Sequence, residues 1–323
     1  MKFVELGKSG LKVSVIALGT WQFGSRSWGY GKSYTADECL DAVKASVEAG
    51  VNLIDTAEVY GGGVSEEIVG KAVKQVDGEV FVATKVSPAH LTYDGVIKAC
   101  DRSLRRLGLK TIDLYQIHFP NPLISLKQTM RAMEHLVKMG KIRFIGVSNF
   151  SRKLVQKARE HLKSEEIVSN QVKYNLIERN IEKDLMPYCM AEKITILAYS
   201  PLAQGILTGK YRKQNLPRDI IRRINKLYSA AYIEKAQPLL DELHNLAKVH
   251  GATMGQAALA WVASHQGCVA IAGAKNRQQA VENALAGKIT LFQEEVEKLS
   301  QLSDKVKPTF ADLLRAIPRI FNP

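Results

Sequence analysis

The chain has 323 residues, 46% hydrophobic and 24% charged, which is enough for one large α/β barrel or two ordinary domains. Its net charge of +13 comes from scattered basic residues rather than a basic stripe with stacking aromatics, so we expect no nucleic-acid partner. No apolar run is long enough to span a membrane and the first residues lack a signal-peptide core, so we expect no membrane partner and a cytoplasmic location.

Short apolar runs alternate with longer amphipathic segments at intervals of roughly 30 residues, the length of a βα unit. The predicted strands are 15–20, 52–56, 80–86, 112–118, 142–147, 167–174, 194–200 and 269–274. The predicted helices are 36–49, 64–75, 92–107, 125–139, 151–161, 182–192 and 276–286, with a long helical region at 235–266. Eight such units without a linker predict one domain over residues 1–323, a (β/α)8 TIM barrel rather than an open doubly wound sheet.

Three segments exceed a minimal barrel. The segments FVELG and LKVSV predict an N-terminal β-hairpin that closes the barrel floor. Residues 201–232 predict a long loop after the seventh strand, and residues 289–323 a last helix and tail. Loops on the C-terminal face of such barrels bind ligands, so the 201–232 loop is a candidate cofactor or substrate segment. Two capping boxes, at Thr35 and Thr253, predict helix starts.

Ionisable side chains stand at the ends of three successive predicted strands. They are Asp55, Lys85 and His118. Tyr60 lies in the glycine-rich loop that follows the strand of Asp55. A lone charge buried there would be costly, so we expect Lys85 to pair with Asp55. We also expect the ammonium to lower the pKa of Tyr60 toward the range useful for acid catalysis.

Taken singly, Asp55 fits a helix cap and His118 fits a buried core histidine. Together the four suit protonation of a carbonyl oxygen, with hydride supplied by a cofactor. The chain has no GxSxG or HExxH motif, and its four cysteines are dispersed, so we expect no metal site and reduced thiols. A Rossmann fingerprint is also missing, because Glu66 stands where GGGVSEE would need its third glycine.

From about Leu6 to Leu302 the chain resembles the aldo-keto reductases. The family's catalytic Asp, Tyr, Lys and His match Asp55, Tyr60, Lys85 and His118, and GKIRFIGVSNF (140–150) matches its fifth-strand signature. The resemblance implies a (β/α)8 barrel that binds NADPH in extended form and reduces an aldehyde or ketone to an alcohol. Tyr60 would donate the proton, Lys85 and Asp55 would adjust the pKa of Tyr60, and His118 would orient the carbonyl.

The resemblance also implies cofactor contacts. Ser148, Asn149 and Gln171 match positions that bind the nicotinamide carboxamide, and Tyr199 matches the ring that stacks on the nicotinamide. The remaining expected contacts are Gly19, Thr20, Trp21 and Asp55 near the first strands, Ser200, Leu202, Gln204 and Gly205 at the pyrophosphate, and Gly273, Ala274, Lys275, Gln279 and Asn283 at the adenosine end. Lys275 would hold a 2′-phosphate, which favours NADPH. Gln279 replaces an arginine of some branches, which leaves NADH possible.

The expected substrate is a small-molecule carbonyl compound. Its candidate contacts are Trp21, Phe23, Trp28, Tyr30 and Phe119, in loops after the first and fourth strands. His118 is followed by Phe119-Pro-Asn where many relatives have Trp-Pro-Asp, so the pocket's shape differs from theirs while the chemistry need not. We expect a monomer or a weak homo-oligomer.

Two alternatives stay open. The chain also resembles potassium-channel beta subunits, which share the barrel and cofactor site but act as redox-sensing regulatory partners. The absence of a long extension before Met1 favours a free-standing enzyme. An aldolase that uses Lys85 as a Schiff base would leave Tyr60 and Asp55 without a role.

Overall fold

A computed structural model describes residues 1–212, 214–217 and 226–308 of the chain. Its strands are β1 (Phe3–Glu5), β2 (Lys12–Ser14), β3 (Ile16–Gly19), β4 (Leu53–Asp55), β5 (Phe81–Val86), β6 (Ile112–Ile117), β7 (Ile142–Ser148), β8 (Ile167–Lys173), β9 (Thr195–Tyr199) and β10 (Cys268–Gly273). Strands β3 to β10 are parallel neighbours and close into a barrel in which β10 pairs with β3. The predicted (β/α)8 TIM barrel is therefore confirmed, with each barrel strand where the sequence placed it.

Helices cover the outside of the barrel. They are α1 (Ala36–Glu48), α2 (Val64–Val73), α3 (Tyr93–Leu107), α4 (Leu126–Lys138), α5 (Arg152–Arg159), α6 (Leu185–Ala191), α7 (Ala230–Lys235), α8 (Gln237–Val249), α9 (Met254–Ala263), α10 (Arg277–Leu285) and α11 (Gln293–Lys305). Both predicted capping boxes are present, with Thr35 bonded to Glu38 and Thr253 to Gln256. None of the described helices is long and apolar enough to cross a lipid bilayer.

The region predicted to be helical at 235–266 is not continuous, because the structure divides it between α8 and α9, with its first residue at the end of α7. Gly251 has a φ of 58°, a left-handed conformation that ends a helix. Thr253 then caps α9 with its own side chain. The chain must therefore turn between α8 and α9.

The strands β1 and β2 form the predicted antiparallel hairpin, and it closes the N-terminal end of the barrel. Leu6 and Val13 are buried in one cluster with inward-facing barrel residues. The Gly7 amide donates to Thr195 Oγ1 at 2.8 Å. Gly7 has a φ of +59°, and a Cβ there would collide with the carbonyl oxygen of Val168. The hairpin is thus seated closely enough that only glycine fits at this turn.

The two remaining predicted segments lie partly outside the described residues. The loop predicted at 201–232 begins with a 3-10 turn, Ala203–Thr208, and ends in α7, but residues 213 and 218–225 are not described. The predicted last helix is α11. The tail from residue 309 onward lies outside the described part of the chain.

Candidate active site

A cavity of about 890 Å³ opens at the C-terminal end of the barrel, opposite the hairpin. This volume lies in the range of cofactor and small-molecule sites. Strand ends contribute its walls, among them Gly19 of β3, Asp55 of β4, Ser148 of β7, Tyr199 of β9 and Gly273 of β10. The parallel barrel thus brings together residues that are far apart in the sequence, because all its strands end on the same face.

A buried ion pair forms one side of this cavity. Lys85 is fully buried, and its Nζ donates to Asp55 Oδ1 at 2.5 Å and to the Thr56 carbonyl at 2.7 Å. Burial opposes the positive charge, but the negative charge of Asp55 and the hydrogen bonds to Asp55 and Tyr60 outweigh it and raise the pKa of Lys85. Lys85 is therefore held as an ammonium, paired with Asp55 as the sequence predicted.

Tyr60 lies above this pair in a tight 3-10 turn, Tyr60–Gly63. Its Oη accepts a hydrogen bond from Lys85 Nζ at 3.4 Å. Burial raises the pKa of Tyr60, and the lowering caused by the Lys85 ammonium does not overcome it. The expected net decrease of this pKa is therefore wrong. Its phenol keeps its proton at neutral pH, which is the form a general acid requires.

His118 directly follows β6 and faces Tyr60. The two rings meet edge to face with centroids 5.6 Å apart, and the Phe119 ring stacks on the imidazole with centroids 5.2 Å apart. Burial and the charge of Lys85 lower the pKa of His118 to about 3. His118 is therefore neutral at physiological pH, so it can donate or accept a hydrogen bond but carries no charge.

A second group of polar side chains lines the cavity beside Asp55. Tyr199 Oη donates to Asn149 Oδ1 at 3.0 Å, and Asn149 Nδ2 donates to the His118 carbonyl at 3.1 Å. Ser148 Oγ donates to the Gln171 carbonyl at 2.8 Å. Asn149 has a φ of 61°, a strained conformation for a non-glycine residue. These contacts fix amide and hydroxyl groups on the cavity wall, where they can recognise a planar amide.

Gln116 is a member of the site that the sequence reasoning missed. Both Gln116 and Gln171 donate from Nε2 to Asp55 Oδ2, at 3.1 Å and 2.7 Å. One carboxylate oxygen of Asp55 thus accepts from two amides while the other accepts from Lys85. A signal was present, because Gln116 stands two residues before His118, and alternate residues of a strand share one face.

The loop after β9 borders the cavity with a left-handed backbone. Ser200, Ala203 and Gln204 have φ values of 53°, 47° and 56°, and Gly205 follows at 110°. Within this turn the N–H groups of Ala203 and Gly205 donate to the carbonyls of Ser200 and Leu202, both at 2.9 Å, so the turn is held by its own backbone. Leu202 lines the cavity beside them.

Beyond that loop, the turn into α10 forms the cavity's end. Lys275, Gln279 and Asn283 line it, while Ala274 is buried behind the wall. The Gln279 side chain accepts from the Lys275 amide at 3.0 Å, and Asn283 Nδ2 donates to the Gly273 carbonyl at 3.1 Å. Lys275 Nζ donates to the Trp28 carbonyl at 2.7 Å. The two side-chain amides therefore order the turn, and Lys275 links it to the loop after β3.

Three of the five predicted substrate contacts line the cavity, namely Trp21, Trp28 and Phe119. Phe23 is fully buried in the main core, and Tyr30 packs edge-on against Tyr34 at 5.9 Å; neither is among the described residues that line the cavity. The cause for Phe23 is a turn in which its amide donates to the Thr20 carbonyl at 2.9 Å, which directs its ring into the core.

Other described cavity residues were not predicted from the sequence. They include Gln22, Ser25, Val59, Lys173, Lys210, Tyr211 and Glu282. Among the described residues, no group of three or more His, Cys, Asp or Glu side chains could hold a metal ion.

Comparison with known proteins finds relatives over nearly the whole chain. The chain matches the Aldo/keto reductase family over residues 15–304. An uncharacterized oxidoreductase of Mycobacterium bovis is 41% identical over 309 residues, covering 95% of this chain and 94% of that protein. A protein of Schizosaccharomyces pombe named as a voltage-gated potassium channel subunit beta is 31% identical, covering 99% and 93%. The crystal structure of an aldo/keto reductase from Klebsiella pneumoniae in complex with NADP and acetate superposes with a TM-score of 0.77 at 31% identity, covering 96% of this chain and 97% of that one.

Proposed function

The chain belongs to the aldo/keto reductase family of oxidoreductases, and from that premise we propose that it is an NADPH-dependent carbonyl reductase. It reduces an aldehyde or ketone to an alcohol. The observation that carries this proposal is the buried Lys85, whose ammonium contacts Asp55 on one side and the Tyr60 hydroxyl on the other. That arrangement places a protonated phenol, with a cation ready to stabilise its conjugate base, on a cavity wall.

Each residue of this group has a distinct role in the proposed reaction. Tyr60 donates its hydroxyl proton to the carbonyl oxygen of the substrate, and Lys85 stabilises the phenolate that remains. Asp55 keeps Lys85 charged. His118, which is neutral, offers a ring N–H to the carbonyl oxygen and so orients it. The nicotinamide, when bound, supplies the hydride.

The residues on the cavity wall fit such a cofactor. Ser148, Asn149 and Gln171 offer amide and hydroxyl groups for a carboxamide, and the half-buried Tyr199 offers a ring for stacking. Ser200, Leu202, Gln204 and Gly205 would hold the pyrophosphate, while Gly273, Ala274, Gln279 and Asn283 would border the adenosine. Gly19, Thr20 and Trp21 would close the site near Asp55.

Lys275 supports NADPH over NADH in this proposal, because its ammonium stands at the adenosine end of the cavity and suits a 2′-phosphate. Gln279 offers no second cation, so use of NADH stays possible. The K. pneumoniae structure holds NADP, which agrees with a nicotinamide cofactor for this chain.

The test is the substitution Tyr60→Phe, assayed with NADPH and 4-nitrobenzaldehyde. We expect loss of turnover with NADPH binding nearly unchanged, since the phenol ring stays and only the acidic proton is removed. Tyr188→Phe, which removes a hydroxyl bonded to Arg159 outside the cavity, is the matched control. Wild-type turnover by Tyr60→Phe would show that Tyr60 is not the acid.

The same assay separates the alternatives. Many rounds of carbonyl reduction per protein molecule support the enzyme. A single round, after which the oxidised cofactor stays bound, supports a regulatory protein resembling potassium-channel beta subunits. Trapping of substrate on Lys85 by borohydride would support the Schiff-base aldolase instead.

A further inference from the structure

The interior of the barrel holds one side-chain amide whose position the proposed reaction does not yet explain. Gln116 of β6 is fully buried, and its Nε2 donates to Asp55 Oδ2 at 3.1 Å. Its Oε1 accepts from Gln171 Nε2 at 3.3 Å. Within the described residues these are its side-chain hydrogen bonds, so the amide serves the carboxylate and the neighbouring glutamine.

The barrel makes room for this amide. In the strand register Gln116 pairs with Lys85 on one side and with Gly146 on the other. A Cβ at Gly146 would lie 2.8 Å from Gln116 Cγ, so a side chain there would displace the glutamine. An apolar residue of similar volume would fill the same space without the cost of burying an amide. We therefore explain the amide of Gln116 by its hydrogen bond to Asp55.

Asp55 Oδ2 has two amide donors, and one of them has a second task. Gln171 donates to this oxygen at 2.7 Å, yet the proposed function assigns Gln171 to the nicotinamide carboxamide. Gln171 Nε2 gives one hydrogen to Asp55 Oδ2 and the other to Gln116 Oε1. Its carbonyl oxygen is therefore the atom that can accept from the carboxamide, while Gln116 holds both the Asp55 carboxylate and the Gln171 amide in place. The two glutamines are thus not equivalent, since only Gln171 lines the cavity.

We propose that Gln116 is a positioning residue, which holds the Asp55 carboxylate toward Lys85 while Gln171 binds the cofactor. This inference rests on the proposed function. Without Gln116, Asp55 Oδ2 loses one of its two amide donors and Gln171 Nε2 loses one of its two acceptors. The carboxylate can then rotate away from the line that joins it to Lys85 and Tyr60. The proton transfer from Tyr60 then slows, whereas the contacts of Gln171 with the cofactor remain.

The test compares Gln116→Met with the wild type. We expect kcat to fall about tenfold to hundredfold, the effect of losing one hydrogen bond to a charged group. The dissociation constant of NADPH and the KM of the carbonyl substrate stay unchanged. The primary isotope effect with NADPH deuterated at the transferred hydrogen rises, because the chemical step then limits turnover more strongly. A merely structural role would lower the active fraction and leave this isotope effect unchanged.

Asn170→Leu is the matched control. Asn170 is also a fully buried amide on a barrel strand, but its Nδ2 donates to the Phe150 carbonyl rather than to Asp55. We expect this variant to lose stability without any change in kcat per folded enzyme or in the isotope effect. An equal rise of the isotope effect in both variants would overturn the proposal.

A second variant, Gln116→Glu, tests the same contact by its pH dependence. A glutamate there keeps the shape of Gln116, but it can donate to Asp55 only when it carries a proton. Two carboxyl groups at hydrogen-bond distance share one proton, so we expect activity to be low at about pH 8 and to recover toward about pH 6. Gln116→Met has no such recovery. If Gln116→Met fails to fold, this pH dependence decides the question.

The outcomes separate the inference from the proposed function. A wild-type protein that reduces no member of a carbonyl panel with NADPH or NADH contradicts the function itself. An active wild type, together with Gln116→Met of unchanged kcat and isotope effect, contradicts only the role of Gln116.

Discussion

Lys85 and Asp55 form an ion pair that solvent does not reach: Nζ and Oδ1 are 2.5 Å apart, and the two side chains are 0% and 3% exposed. Removing two charges from water costs free energy that their mutual attraction only partly returns, so a buried pair is weak evidence for stability. The pair stands beside Tyr60 on the cavity wall, where its charge can support a proton transfer. A role in proton transfer therefore explains this buried ion pair better than a contribution to stability does.

Substitution of Lys85 by methionine should destabilise the fold and abolish turnover. Asp55 would then be buried without its cation, and breaking a buried pair costs about 3–5 kcal/mol of unfolding free energy. The double variant Lys85→Met/Asp55→Leu should recover only part of that stability, because the buried amides of Gln116 and Gln171 lose their acceptor, and none of the activity. Urea unfolding measures the first effect and steady-state kinetics the second.

The control for this prediction is Arg277→Met. Arg277 also lies 2.5 Å from a carboxylate, that of Glu48, but both side chains are more than half exposed. Because solvent screens exposed pairs, its urea midpoint should hardly move. Equal losses for the Arg277 and Lys85 variants would mean that burial does not matter here.

The pH profile of carbonyl reduction should be level through neutral pH. His118 has a pKa lowered to about 3, so no change of activity is expected near pH 6.5, where an ordinary histidine titrates. Tyr60 must be protonated to act as the acid, and burial raises its pKa, so activity should fall only at alkaline pH. Measurements of kcat from about pH 5 to pH 11 test this. A limb near pH 6.5 that is absent from His118→Asn would contradict the neutral state of His118.

Substitutions in the N-terminal hairpin should change the stability of the fold and not the activity. Gly7 and Gly10 both have left-handed φ values, +59° and +74°, but a Cβ collides with Val168 only at Gly7 and meets nothing within 4 Å at Gly10. Gly10→Ala should cost about 1 kcal/mol from backbone strain. Gly7→Ala should cost about 1–3 kcal/mol more, because the hairpin must move off the barrel floor. Equal unfolding free energies for the two variants would show that the hairpin adjusts freely.

The barrel could be predicted from the sequence because its strands are short apolar runs and its helices amphipathic segments at regular spacing. The break between α8 and α9 was harder, since apolar residues continue on both sides of Gly251. Only the capping box at Thr253 marked a new helix. Local hydrogen-bonding chemistry decided the boundary there, and hydrophobic periodicity did not.

The sequence predicts which residues form the candidate site, but it does not predict their pKa values. Strand ends of a parallel barrel share one face, so Asp55, Lys85 and His118 could be placed together. The net pKa of Tyr60 depends on how deeply the phenol is buried, which the sequence does not specify. The same limit separates Trp21, which lines the cavity, from Phe23, which a single turn directs into the core.

Lys275 should determine the preference for NADPH over NADH. Its Nζ donates to the Trp28 carbonyl at 2.7 Å and lies 4.7 Å from the centre of the Tyr34 ring, so a 2′-phosphate must compete with these contacts. Lys275→Met should raise the KM of NADPH about tenfold, the value of one hydrogen bond between charged groups, while the KM of NADH stays the same. Lys288→Met removes the same charge at an exposed position outside the cavity and should change neither. An equal rise for both cofactors would instead assign Lys275 to holding the Trp28 loop, and would rule out its contact with the 2′-phosphate.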